Sequence, residues 1–144
     1  MSERRFLDTN VLLYSISTAK EEASKREIAV EILERDDCAL SVQVLQEFYV
    51  QATRTSRRDR LPHELAVGLI ETWMRFPIQE TTLEIAGAAF EITATHGLSY
   101  WDSAIVAAAR ALGCGQLFSE DMAHGRDLDG VTIVNPFRKL RLRR

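Results

Sequence analysis

Residues 5–15 read "RFLDTNVLLYS". An apolar pair, Phe6-Leu7, runs into a carboxylate, Asp8, and a second apolar run, Val11-Leu12-Leu13-Tyr14, resumes after Thr9-Asn10. Arg4 to Leu7 has the length and character of a short strand. Asn10 to Ser17 reads as a short helix. A strand that feeds directly into a helix opens a βα unit and favours an α/β fold with a mainly parallel sheet. The acid at the junction has two readings. Asp before a helix is a good N-cap. The same position, just past the carboxyl end of a strand, is where open parallel sheets bind ligands.

The rest of the chain repeats this alternation. Glu21 to Glu34 is amphipathic, with Ala23, Ile28, Ala29, Ile32 and Leu33 as its apolar set. Cys38 to Leu40 is a second strand, apolar throughout as a strand buried on both faces should be. Ser41 caps a helix that runs to about Thr55. Pro62 opens another, to about Arg75, with Leu65, Leu69, Ile70 and Trp73 turned inward. Pro77 to Glu80 is a third strand. Thr82 to His96 is a helix stopped by Gly97, and Tyr100 to Leu112 is one stopped by Gly113. Gln116 to Phe118 and Val131 to Val134 complete the set. The expected fold is α/β: one domain over residues 1–144, with a five-stranded, mainly parallel sheet and helices on both faces.

The 144 residues suffice for one proper core. No apolar run approaches the ~20 residues of a membrane span, and Met1-Ser2-Glu3-Arg4-Arg5 leads into no signal-peptide hydrophobic region. A cytoplasmic location is the expectation. Cys38 and Cys114 form no CxxC pair and read as buried free thiols. The net charge is -3, but its distribution is uneven. Arg54, Arg57, Arg58 and Arg60 surround the single acid Asp59, and the tail 138–144 carries Arg138, Lys139, Arg141, Arg143 and Arg144 with no acid. The remaining chain has nine basic residues against 20 acidic ones, a net of -11. An acidic body with two basic patches can guide a polyanion. A solvated helix end and a frayed terminus would leave the same pattern.

Three further acids occupy positions comparable to Asp8. Asp121 follows the strand Gln116-Leu117-Phe118 in "LFSED". Glu120 beside it is expected at the surface. Asp102 precedes Ile105, Val106 and Ala109 by three, four and seven places, so it shares the apolar face of its helix. An unpaired inward carboxylate is expensive, although Ser99-Tyr100-Trp101-Asp102 also fits a capping box. Glu47 borders the buried stripe Val44, Leu45, Phe48 and Ala52. Four carboxylates meeting at one sheet edge would repel one another without a counter-charge. A hard divalent cation, Mg²⁺ or Mn²⁺, supplies it, activates water and stabilises charge on a phosphate.

The ordered set "DTNVLLY", "QEFYV", "YWDSAIVAAA" and "FSEDMAHG" with "VTIVNPF" resembles the PIN-domain ribonucleases, most closely the VapC-like toxins of bacterial toxin–antitoxin pairs. The resemblance covers essentially the whole chain. It implies that Asp8, Glu47, Asp102 and Asp121 form the acidic, metal-ligating cluster, with Thr9, Asn10 and Ser119 supporting it. It further implies Mg²⁺- or Mn²⁺-dependent hydrolysis of RNA, a cognate antitoxin and a homodimer. Arg54, Arg57, Arg58 and Arg60 are the RNA-binding candidates.

Two other readings stay open. A phosphoryl-transfer enzyme of the haloacid-dehalogenase type or a receiver also places an Asp after its first strand. The former usually has a second Asp two places on, where this chain has Asn10. A catalytically silent PIN-like module binding RNA or protein is the other. Histidine chemistry has weak support: His63 and His96 lie at helix ends, and only His124, in the loop after Asp121, stands near an acid.

Overall fold

The computed structural model describes residues 4–138. Most of the basic tail, including Lys139, Arg141, Arg143 and Arg144, therefore lies outside the described residues.

Strand β1 (Arg5–Leu7) runs straight into helix α1 (Thr9–Ser15). A single 3₁₀ turn (Lys20–Glu22) precedes α2 (Ala23–Leu33). Then follow β2 (Cys38–Ser41), α3 (Val42–Thr53), α4 (His63–Trp73), β3 (Ile78–Gln79), α5 (Leu83–His96) and α6 (Tyr100–Ala111). Strands β4 (Gln116–Phe118), β5 (Asp127–Leu128) and β6 (Val131–Val134) close the fold. Sequence-readable signals set the boundaries. Ser41, Thr82 and Ser99 each accept a hydrogen bond from the third residue onward, the usual N-cap geometry. Gly97 ends α5 in the left-handed region at φ 74°, which glycine adopts without a Cβ penalty.

The sheet order is β3-β2-β1-β4-β6-β5, and every pairing is parallel except β5 with β6. The expected five strands become six. The additional one, β5, forms a two-residue hairpin with β6 through Asp129-Gly130, both at positive φ. An Asp-Gly pair favours this turn type, so the signal was present in "LDGV". The strand itself is two residues long, too short to show alternation.

Both sheet faces are covered. All four residues of β2 are buried, as a parallel strand between two helical layers requires. Helix α6 packs against β2, β3, β4 and β6, with α5 against its outer side. Its middle, Ser103 to Ala109, is buried all round, which the small alanines permit. Helix α4 departs from expectation at one place: Ala66 faces the core with Trp73, while Leu65 is exposed.

The direction of chain travel reverses at β1. The chain moves from β1 to β2 and β3 on one side, then crosses back to β4 on the other. The β1/β4 edge is thus the topological switch point, where open α/β sheets leave a crevice beyond their carboxyl ends.

Candidate active site

Leu7 pairs with Phe118 at the ends of β1 and β4, so the next residues, Asp8 and Ser119, emerge side by side. The Asp8 amide donates to the Phe118 carbonyl at 2.9 Å. Asp8 is buried and caps α1, its Oδ1 accepting from the Thr9 amide at 2.7 Å. Its Oδ2 accepts from the Ser119 hydroxyl at 2.7 Å. Both readings of Asp8 are therefore compatible in one conformation. The cap uses one carboxyl oxygen, while the residue still borders the crevice.

Ser119 Oγ also accepts from the Asp121 amide at 3.1 Å, which folds the loop after β4 back toward Asp8. Asn10 ties the two sides together. Its Nδ2 donates to Asp121 Oδ2 at 3.2 Å and lies 3.5 Å from Asp8 Oδ2. Its Oδ1 accepts from the Glu120 amide at 3.3 Å. Helix α3 brings Glu47, whose Oε1 accepts from the Thr9 hydroxyl at 2.7 Å. The first turn of α6 brings Asp102, its amide donating to the Ser99 hydroxyl at 3.1 Å. The capping reading of Asp102 thus holds for its backbone, while its half-buried side chain is left to face the crevice.

The result is a cavity of about 350 Å³ lined by Asp8, Thr9, Asn10, Leu13, Glu47, Gln51, Asp102, Ile105 and Asp121. The acids feel one another. Burial pushes the Asp8 carboxyl up to about 6, and the nearby charges of Asp121 and Asp102 add to the shift, against the lowering effect of its Ser119 and Thr9 hydrogen bonds. Burial also raises Asp102, reinforced by Asp121 and Glu47. Asp8 and Asp102 therefore sit where the charged form is disfavoured despite their hydrogen bonds.

This chemistry fits a hard divalent cation. All the donors are oxygens, and an added positive charge would favour the ionised forms of Asp8 and Asp102, which burial and the neighbouring acids disfavour. Among the described residues, no three His, Cys, Asp or Glu side chains form a ready-made ligand group. Mg²⁺ does not require one, because it keeps several waters and is bound through one or two carboxylates.

Some residues differ from expectation. Glu120 is not a plain surface residue. It is half-buried, paired with Lys25 of α2 and accepting from the Tyr14 hydroxyl of α1. Those partners come from helices that sequence spacing alone does not bring to the β4 end. Gln43 was missed altogether. Its Nε2 donates to Glu47 Oε2 at 3.1 Å and to the Trp101 carbonyl at 3.2 Å, tying α3 to α6. His124 is not in the cavity; it lines a separate groove with Arg5 and residues of α2. His63 bonds the Tyr49 hydroxyl at 2.9 Å, and His96 pairs with Asp129 at 3.0 Å. Among the arginines, Arg54, Arg58 and Arg60 are exposed, but Arg57 pairs with Asp59 at 2.9 Å. Both cysteines are free and buried, and burial raises both thiols.

The family profile described as the PIN domain matches residues 5–126, which includes every acid of this cavity. The chain belongs to the PIN-domain family. Solved structures with the same PIN fold include a toxin–antitoxin complex from Klebsiella pneumoniae, at 21% identity and TM-score 0.66, covering 92% of this chain and 97% of that one. VapC20 from Mycobacterium tuberculosis, described as a sarcin–ricin loop cleaving toxin, matches at 17% identity and TM-score 0.62, covering 81% and 89%. DNA-bound VapBC from Salmonella typhimurium matches at 19% identity and TM-score 0.62, covering 92% and 97%. At these identities the likeness is one of fold. A search of curated proteins finds no match to this PIN-domain sequence. Among the described residues, no helix is long and apolar enough to cross a membrane.

Proposed function

We propose that this PIN domain is a divalent-metal-dependent endoribonuclease, acting as the toxin of a toxin–antitoxin pair and as a homodimer. One observation carries the reading. Four carboxylates from four segments line one cavity at the switch point of the sheet, where burial, reinforced by the neighbouring acids, raises Asp8 and Asp102. A purely structural role gives no reason to gather four acids where the fold leaves a crevice. The proposed antitoxin partner rests on the complexes among the structural relatives.

Asp8, Glu47, Asp102 and Asp121 would surround Mg²⁺ or Mn²⁺, one or two of them binding it directly and the others through its waters. When bound, such an ion lowers the pKa of a water and stabilises charge developing on a phosphate oxygen. The chain's own residues set the geometry. Ser119 and the Thr9 amide fix the Asp8 carboxyl by one bond on each oxygen. The Thr9 hydroxyl and Gln43 fix Glu47 in the same way. Asn10 holds Asp121 beside Asp8. Such bonds order the acids before any ligand arrives, which lowers the reorganisation needed in the reaction.

The test is RNA cleavage by the purified chain with Mg²⁺, with Mn²⁺ and with chelator. The expected outcome is cleavage that needs the metal, stops on chelation and leaves a 5′-phosphate. Chelator-resistant cleavage ending in a 2′,3′-cyclic phosphate would indicate histidine chemistry and overturn the reading. Binding without cleavage under any metal would make the chain a silent PIN-like module.

A further inference from the structure

An aromatic step stands beside the carboxylate cavity. Trp101 is 63% exposed and Phe90 is 62% exposed. Between them lies half-buried Tyr100, its ring 4.9 Å from Trp101 and 5.3 Å from Phe90. Large aromatic side chains left in water are costly unless something covers them. We propose that Trp101, backed by Tyr100 and Phe90, is a stacking platform for an unpaired base of an RNA strand that crosses the cavity. This rests on the nuclease reading of the cavity and adds a substrate feature: an unstacked base next to the cleaved bond.

The placement supports a nucleic acid as the occupant. Trp101 directly precedes Asp102 in α6, and its carbonyl is held by Gln43, which also holds Glu47. The backbone at Trp101 is therefore tied to Glu47 through one side chain and to Asp102 as its neighbour in the chain. Helix α3 then lays out a row. Gln43, Glu47 and Gln51 recur at helical spacing on one side, and Arg54 follows as the C-cap. Gln43 stands under Trp101, Glu47 and Gln51 line the cavity, and exposed Arg54 closes the row. At 1.5 Å per residue the row spans about 16 Å. That is several times the roughly 3.4 Å rise of one nucleotide in a stacked strand. One end offers rings to a base, the middle offers the acids, and the far end offers a cation to a phosphate.

An uncharged grip also suits this location. An arginine beside Asp102 and Glu47 would pair with the acids and compete with the metal. Stacking on a ring holds a base without adding charge, and it tolerates any base because each has a π face.

Fluorescence tests the platform directly. The chain has two tryptophans, and Trp73 is buried at 4% exposure, so solvent-sensitive emission reports Trp101. The titrant is an unstructured hexa-adenylate RNA at low salt, with chelator present so that the strand stays intact. Saturating quenching of Trp101 is expected, with a G·C-rich duplex long enough to stay paired at that salt quenching less at equal nucleotide concentration. Trp101→Phe should bind within about threefold of the parent, and Trp101→Ala roughly tenfold or more weakly. Emission unmoved by the RNA, or equal affinity in Trp101→Ala, overturns the platform. So does a Trp101→Ala protein that turns from dimer to monomer in sedimentation while RNA leaves the parent's emission unchanged, because the step is then a contact between copies. Metal-dependent cleavage surviving those results leaves the nuclease reading standing, and quenching without any cleavage leaves the platform without the nuclease.

Discussion

Asp8 holds the opposing demands of this site in one side chain. It is 6% exposed and raised from 3.8 to about 6, chiefly by burial. A folded-state pKa above the unfolded one means the native state binds the proton more tightly. Stability from this group is therefore present below the unfolded value and lost as pH rises through about 6. A shift of this size corresponds to about 3 kcal/mol against the metal-free fold at neutral pH. Asp8→Asn keeps the shape and removes the charge. In chelator at pH 7 it should melt several degrees higher than the parent. The gap should shrink as pH falls from about 6 toward 4, where the parent's own carboxyl becomes neutral. Cleavage should be suppressed strongly. Thermal denaturation across that pH range, with activity assayed alongside, checks this. A gap that ignores pH would remove the charge explanation.

At the scale of the element, α3 and α6 must meet for Glu47 and Asp102 to share a cavity. Gln43 is their visible polar tie, and hydrogen bonds of this kind contribute ~1 kcal/mol each. Gln43→Ala should cut metal-supported cleavage several-fold and lower the melting temperature by a few degrees. Gln46, one turn along and exposed, provides the control, and Gln46→Ala should change neither. Equal effects from both substitutions would mean that α3 is being destabilised generally. The helices themselves were largely legible. Caps at Ser41, Thr82 and Ser99 and the stop at Gly97 are local signals acting within one turn. The tie through Gln43 was not legible, because it depends on where Trp101 arrives from 58 residues away.

Over the whole molecule, charge is segregated. The acid cavity repels phosphates, so on the proposed nuclease reading RNA must be drawn by groups around it. Arg54 and Arg58 are exposed, whereas Arg57 is committed to Asp59, which in turn accepts from the amide and hydroxyl of Thr18. The fit between basic groups and substrate should therefore depend on Arg54 and Arg58. Replacing both with Gln should weaken RNA binding and flatten its dependence on salt, by a slope of about one for each phosphate no longer neutralised. The choice of bond cut should stay the same, since phosphate contacts position the strand and carry little sequence information. Binding titrations at several salt concentrations measure the slope. Unchanged affinity and slope would place the RNA path elsewhere.

The sequence by itself determined the βα alternation, the covered parallel sheet and the location of Asp8 and Asp121 past the ends of their strands. Those follow from short-range rules: hydrophobic runs set strands, capping residues set helix starts, and glycine sets helix stops. It also carried an Asp-Gly turn whose two-residue strand, β5, was too short to declare itself. Only the tertiary structure decided what the side chains do. Glu120 looked like a plain surface acid until α1 and α2 supplied Tyr14 and Lys25, and only the folded chain shows Arg57 paired with Asp59. Leu65 looked buried until packing turned Ala66 inward instead. Most decisively, the raised pKa values of Asp8 and Asp102 depend on how deeply each is buried and on the distance to the neighbouring acids. Strand order and helix packing fix those quantities, and neither can be read from spacing along the chain.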